Sequence, residues 1–189
     1  MFENEKFDEI LNVLRQGGVI LYPTDTIWGL GCDATNEAAV QKINAIKNRK
    51  NKDGYVLLVD SIDTLRLFVD HVHPRIETLL HYHDRPVTVI YEEGIGLAPS
   101  VLGKDKSVAI RIVKDAFCRE LIRQLGKPIV STSANKTGKP FPSNYGEINS
   151  DVLEEVDFVV KYKQDSREKG EPSVIVRLND IEELDFIRE

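Results

Sequence analysis

The chain has 189 residues, with 25 Lys and Arg against 31 Asp and Glu, a net charge of −6 and a hydrophobic fraction of 41%. That length suits one domain, able to bury roughly 70% of its unfolded surface, and the composition excludes a long disordered chain. No apolar run approaches the ~20 residues of a membrane helix, and the acidic whole argues against bulk electrostatic affinity for nucleic acid. The start, MFENEKFDEI, has neither a basic n-region nor an apolar h-region, so secretion is not expected and the cytoplasm is. Cys32 and Cys118 stand far apart and form no C-x-x-C, which speaks against a disulfide framework or a cysteine zinc site.

In chain order, Phe7, Ile10, Leu11 and Leu14 fall at helical spacing before Gly17 and Gly18, which supply a stop. Val19–Tyr22 reads as a buried strand ended by Pro23. NEAAVQKINAIKNRK repeats Ala39, Val40, Ile43 and Ile46 along one face, a helix whose basic last turn suits the negative end of the macrodipole. Tyr55–Val59 reads as a second buried strand, and Ser61–Val69 as a helix capped by Ser61 or Asp63. Strands are predicted over Val87–Tyr91 and Val108–Val113. Asp115 caps a helix carrying Phe117, Leu121 and Leu125, closed by Gly126 and Pro128. Ile129-Val130 opens a strand that runs into STSAN, followed by the loop TGKPFPSNYGE. Val152–Val160 reads as a helix turning into a strand, and Ser173–Leu178 as a β-branched strand. Alternating short strands and helices predict one α/β domain of the α+β type, 1–189, built on a twisted mixed sheet flanked by helices.

Three segments could carry chemistry. In YPTDTIWGLG, a strand end delivers Thr24, Asp25 and Thr26 into a turn; these could hold a small polar substrate, or bond only their own backbone as an Asx/ST turn. Lys47, Arg49, Lys50 and Lys52 place four cations in six residues, which could bind phosphate or complement the helix dipole on a solvated face. STSAN, residues 131–135, puts small hydroxyl side chains after a buried strand, as anion sites do and as close helix packing also does.

All four histidines, His71, His73, His81 and His83, form two H-x-H pairs. On a strand each pair would face one side and could chelate a borderline metal, yet Ile76–Leu80 between them reads as helical, and four weakly packed histidines is the favoured reading. There is no G-x-S-x-G elbow, no P-loop and no G-x-G-x-x-G.

Together, GGVILYPTDTIWGLGCDA, AVQKINAIKNRK, VAIRIV and GKPIVSTSANKTGKP resemble the YrdC family of threonylcarbamoyl-AMP synthases, in order and over residues of roughly 10 to 178. The resemblance implies the YrdC-like fold with a concave basic face, in the short form without an appended domain. It implies ATP-dependent condensation of L-threonine and bicarbonate, the first stage of threonylcarbamoylation of adenosine 37 in tRNA, with Mg²⁺ as cofactor. The partners it implies are ATP, L-threonine, bicarbonate and the proteins that transfer the product to tRNA; no membrane partner is expected. The family's K-x-R element falls on Lys47 and Arg49 and its S-x-N element on Ser133 and Asn135, the catalytic set. Thr26 matches the substrate-contacting threonine of the P-T-[DE]-T turn. Arg111 would face nucleotide or the threonine carboxylate, Ser107 the ATP, and Ser131 and Ser173 further substrate positions.

The chain departs from the family pattern in places. Lys50 stands where proline is usual, Asp53 where Asn or a basic residue is, Trp28 where Tyr is, and Ser173-Val174-Ile175 in place of S-T-[IV]. His83–Thr88 keeps only the last Pro and Thr of W-P-G-P-[LV]-T. Adenylation needs fixed cations more than a nucleophilic side chain, which accounts for the missing triads. Two rival readings are a non-catalytic RNA-binding module using Lys47–Lys52, whose affinity would fall steeply with salt, and a carbamoyl-transfer role like that of YrdC modules in hydrogenase-maturation proteins.

Overall fold

The computed structural model describes residues 6–50, 53–168 and 170–188; Lys52 and the first five residues lie outside them. In chain order the elements are α1 (Phe7–Arg15), β1 (Ile20–Tyr22), β2 (Gly29–Gly31), α2 (Glu37–Lys47), β3 (Val56–Val59), α3 (Ile62–Leu65), α4 (Pro74–Tyr82) and β4 (Val87–Tyr91), continuing with β5 (Val108–Ile112), α5 (Ala116–Leu125), β6 (Ile129–Ser133), α6 (Ser150–Glu155), β7 (Phe158–Val159), β8 (Val174–Leu178) and β9 (Leu184–Arg188). Among the described residues the strands form one mixed sheet in the order β7-β1-β2-β6-β3-β5-β4-β8-β9. β1 with β7, β3 with β5 and β4 with β8 are parallel; the other neighbours are antiparallel.

Alternation along the strands divides the sheet into two faces. Leu30, Leu57, Val59, Val89, Ile110, Val130 and Val176 point to one face, where Ala39, Val40, Ile43 and Ile46 of α2 pack with Leu65, Ile76 and Val152. Ile20, Tyr22, Leu58 and Ile129 point the other way, under Ile10, Leu11 and Leu14 of α1 and Phe117, Leu121 and Leu125 of α5. The register continues this second face outward: Arg111 lies opposite Leu58 and Thr88, and Ser131 opposite Val56. Beyond the cover of α1 and α5, this face is therefore polar.

Local signals explain most ends. Asn36, Ser61, Asp115 and Asn149 each accept a backbone N–H as N-caps, and Gly126 at φ +73° closes α5. The helix predicted over Ser61–Val69 is a single turn, Ile62–Leu65, because the following bonds tighten to Leu67 N–H on Thr64 and Phe68 N–H on Leu65. Two strands escape the sequence reading. β2 is Gly-Leu-Gly, in which a Cβ at Gly31 would lie 2.5 Å from the Tyr22 ring and one at Gly29 3.0 Å from the Thr132 carbonyl; glycine here permits close strand approach. β9 is held through its pairing with β8.

The histidines do not sit on strands. His73 is the N-cap of α4, its Nδ1 accepting Arg75 N–H at 3.1 Å, and His83 follows the helix's last residue. His71 and His73 both precede α4 and His81 and His83 straddle its end, so the same-face argument for strands does not hold. Among the described residues no helix is long and apolar enough to cross a membrane.

Candidate functional site

α2 ends by delivering Lys47 to the end of β6. Asn48 takes the left-handed conformation at φ +51°, and the Asn48 and Arg49 N–H groups donate to Ala45 and Asn44 carbonyls, a Schellman-type close that turns the chain after Lys47. Lys47 is 5% exposed, and its Nζ donates to the Ser133 and Asn135 carbonyls at 2.6 and 2.7 Å. The Thr137 N–H donates back to the Lys47 carbonyl at 2.9 Å. Burial, with the nearby Arg49 charge, lowers the Lys47 ammonium to about 8. The macrodipole reading as a solvated face fails for this residue, since its ammonium is turned inward onto the β6 end.

Arg49 is aligned by two contacts. Its Nη2 donates to the Gly54 carbonyl at 2.7 Å, and its guanidinium lies 4.1 Å from the centre of the Tyr55 ring, a cation–π arrangement. Tyr55 in turn donates its hydroxyl to Asn44 Oδ1 at 2.7 Å, tying the arginine back to α2. Asn135 donates from Nδ2 to the Lys136 and Lys139 carbonyls, and its Oδ1 is buried with no partner among the described residues. Ser131 and Ser133 are half-buried on the open face.

A second group gathers around Arg111, which is 4% exposed. Its Nη2 lies 3.1 Å from Thr26 Oγ1, to which it donates, and 3.1 Å from Asp25 Oδ1 in an ion pair. Asp25 Oδ2 accepts the Lys114 N–H at 2.9 Å, and Lys114 is itself fixed by donating Nζ to the His83 and Asp84 carbonyls. Thr24, Asp25, Thr26 and Trp28 line a cavity of about 230 Å³, closed by Ser143, Lys163, Ser166, Glu168, Gly170 and Glu171.

The segment that closes this cavity was not legible as part of a site. Lys163 holds φ +61° and reaches Asp115 Oδ2 at 2.8 Å; burial opposes its charge, but the Asp115 carboxylate more than offsets this and raises it. A Cβ added to Gly170 would lie 1.5 Å from the Thr26 carbonyl, so only glycine allows that backbone to rest there. Apart from this glycine in a charged stretch, nothing in the sequence marks the contact.

The structure thus joins Lys47 to Ser133 and Asn135, and Arg111 to Thr26. Ser173 and Ser107 stand apart. Ser173 is 3% exposed and its Oγ is 2.7 Å from Thr88 Oγ1, so it supports the strand pair beside Arg111. Ser107 donates its hydroxyl to Asp105 at 2.6 Å in the turn before β5. Both cysteines are buried, and desolvation pushes both thiols up, so neither supplies a thiolate nucleophile.

A family model for Sua5, YciO and YrdC proteins, described as "Telomere recombination", matches residues 12–189. The chain belongs to this family. It is 37% identical over 147 residues to a threonylcarbamoyl-AMP synthase of Cellvibrio japonicus, covering 77% of both chains. Its fold is similar to E. coli YciO, with a TM-score of 0.82 at 24% identity, covering 97% of this chain and 88% of that one. It is also similar to P. abyssi Sua5 complexed with L-threonine, with a TM-score of 0.80 at 23% identity over 91% of this chain. The chain spans half the length of that Sua5 protein.

Proposed function

We propose that this protein is an L-threonylcarbamoyladenylate synthase, a nucleotidyltransferase that condenses L-threonine, bicarbonate and ATP with release of pyrophosphate. The observation that carries the reading is the bond from Lys47 to the Ser133 and Asn135 carbonyls. It sets a buried ammonium, with Arg49 beside it, at the end of β6, where a polyphosphate needs fixed positive charge. The 37% identical synthase supports the same chemistry, as does the likeness to a Sua5 fold that holds L-threonine.

In this reading bicarbonate takes up a proton and loses water to give CO₂, the threonine amine attacks its carbon and releases a proton, and the new carbamate oxygen attacks the α-phosphorus. The bond from the α-phosphorus to the bridging oxygen breaks, and pyrophosphate leaves. Lys47 and Arg49 stabilise charge on the phosphates, Ser131, Ser133 and Asn135 orient substrate, and Arg111 with Thr26 holds threonine; the gain is proximity and electrostatics. Ser107 and Ser173 act through the turn and strand pair that they brace. No enzyme nucleophile is needed, in keeping with the raised thiols. Among the described residues no three His, Cys, Asp or Glu side chains converge into a metal set. That donor set does not fit a resident ion, so Mg²⁺ enters on the ATP phosphates as part of the substrate. The product passes to proteins that transfer the threonylcarbamoyl group to adenosine 37 of tRNA. The RNA-binding alternative drew on the basic run Lys47–Lys52, in which Lys47 is buried and Arg49 lies against Tyr55 while Lys50 is exposed.

The test is incubation with ATP, Mg²⁺, L-threonine and bicarbonate, following pyrophosphate and the mass of the adenylate. Both should appear only with all substrates present. Absence of both from folded protein overturns the reading.

A further inference from the structure

Arg49 supplies charge to the reaction, yet a half-buried arginine just past a helix end has much side-chain freedom to lose before it can meet a phosphate. Two uncharged groups hold it. The Gly54 carbonyl accepts from Nη2 at 2.7 Å, and the guanidinium carbon lies 4.1 Å from the centre of the Tyr55 ring. A carboxylate in either place would orient the arginine but also offset its charge. A carbonyl dipole and a ring face orient it and leave its net charge in place for a polyphosphate.

The ring is itself fixed from both ends. Tyr55 is buried, its N–H donates to the Val101 carbonyl at 2.9 Å, and its hydroxyl donates to Asn44 Oδ1 at 2.7 Å. Burial raises that hydroxyl above the ordinary tyrosine value, so the ring stays uncharged and keeps the proton that Asn44 receives. The Asn44 carbonyl also accepts the Arg49 N–H at 2.9 Å. One residue of α2 therefore anchors both the backbone of the arginine and the ring beside its side chain. Gly54 holds φ +69°, and a Cβ there would lie 3.0 Å from the Gly103 nitrogen and 3.1 Å from the Val101 carbonyl, so glycine suits the turn that aims the second contact.

We propose that Tyr55 is a positioning residue for ATP binding: the face of its ring, pinned through Asn44, holds the Arg49 guanidinium in its phosphate-binding orientation without neutralising it. Tyr55 touches no substrate and acts only through Arg49. This inference rests on the synthase reading and goes beyond it by assigning the group that orients the arginine.

The test is a double-mutant cycle on the full chain. Tyr55→Leu and Tyr55→Phe are made in wild type, and Tyr55→Leu also in Arg49→Ala, measuring KM for ATP and for L-threonine and ATP binding by calorimetry. Tyr55→Leu removes the ring face and should weaken ATP about fivefold in both measures, the cost of ordering one long side chain on binding. The threonine KM should change less than about twofold. Tyr55→Phe keeps the ring face and should stay within about twofold of wild type. In the Arg49→Ala background, Tyr55→Leu should change ATP binding less than about twofold, because the group it positions is gone. A fivefold loss that persists without Arg49, a Phe variant as weak as the Leu variant, or a folded Tyr55→Leu with unchanged ATP binding overturns the proposal and leaves the synthase reading intact. A wild type that neither binds ATP nor forms the adenylate overturns both. Should Tyr55→Leu fail to fold, Tyr55→Met, which fills the space with a flexible side chain, is read in the same way.

Discussion

The two faces of the sheet use the same strands for opposite purposes. On one face Leu57, Ile110, Val89 and Val176 are sealed under α2 and its neighbours in an apolar cluster. On the other, α1 and α5 cover Leu58, Ile129, Ile20 and Tyr22, and the same strands carry Arg111, Thr88, Ser131 and Ser133 onto the part of that face beyond the two helices. A single-residue step along β5, from Ile110 to Arg111, passes from core to candidate site. The closed face should therefore set stability and the half-open face should set activity.

Substitutions on the two faces can break that division. The largest effect belongs to the sealed face: Leu57→Ala, at a fully buried position, should lower unfolding free energy by about 3 kcal/mol. Denaturant titration checks this, and both KM values should stay put. At the candidate site, Arg49→Ala should reduce kcat/KM about 10²-fold, roughly 2.7 kcal/mol of transition-state stabilisation, with a melting midpoint within a few degrees of wild type by calorimetry. A large loss of melting temperature there would erase the distinction.

Gly170→Ala tests the segment that closes the cavity. Its Cβ would lie 1.5 Å from the Thr26 carbonyl, so the segment must withdraw, and turnover should fall about tenfold through misplaced substrate. Steady-state kinetics beside a melting curve separates this from unfolding.

The smallest effect is in pH. Lys47 carries its charge below about 8 and loses it above, so kcat/KM for ATP should be halved near that pH and fall about tenfold per unit beyond it. The sign for stability is opposite. The folded pKa lies below the ordinary 10.5, the unfolded chain holds the proton longer, and this residue's contribution to stability rises between about 8 and 10.5. A pH–rate profile set beside denaturation at the same pH values would show the two trends diverging.

Much of the framework was readable because its signals are local. Ser61 and Asp115 cap helices by their own geometry, Gly126 ends α5, and the apolar runs Tyr55–Val59 and Val108–Val113 mark strands buried by their side chains. β2 was hidden because two of its three residues lack a side chain and hence a pattern; it is a strand through what lies beside it, the Tyr22 ring and the Thr132 carbonyl. The same limit holds at the site. Lys47 and Ser133 were legible as motif residues, but the bond between them joins positions 86 residues apart.

By itself, the sequence determined the caps at Ser61 and Asp115, most strands, the α/β plan and the residue types gathered near positions 47–49 and 131–135. Those depend on local backbone preference and on the period of apolar residues, which neighbours along the chain decide. Tertiary structure alone decided that Lys47 turns inward, that Ser173 braces Thr88, and that Gly170 lies on Thr26. Each of these depends on which distant group occupies the space beside a side chain, and that is fixed only when the sheet closes.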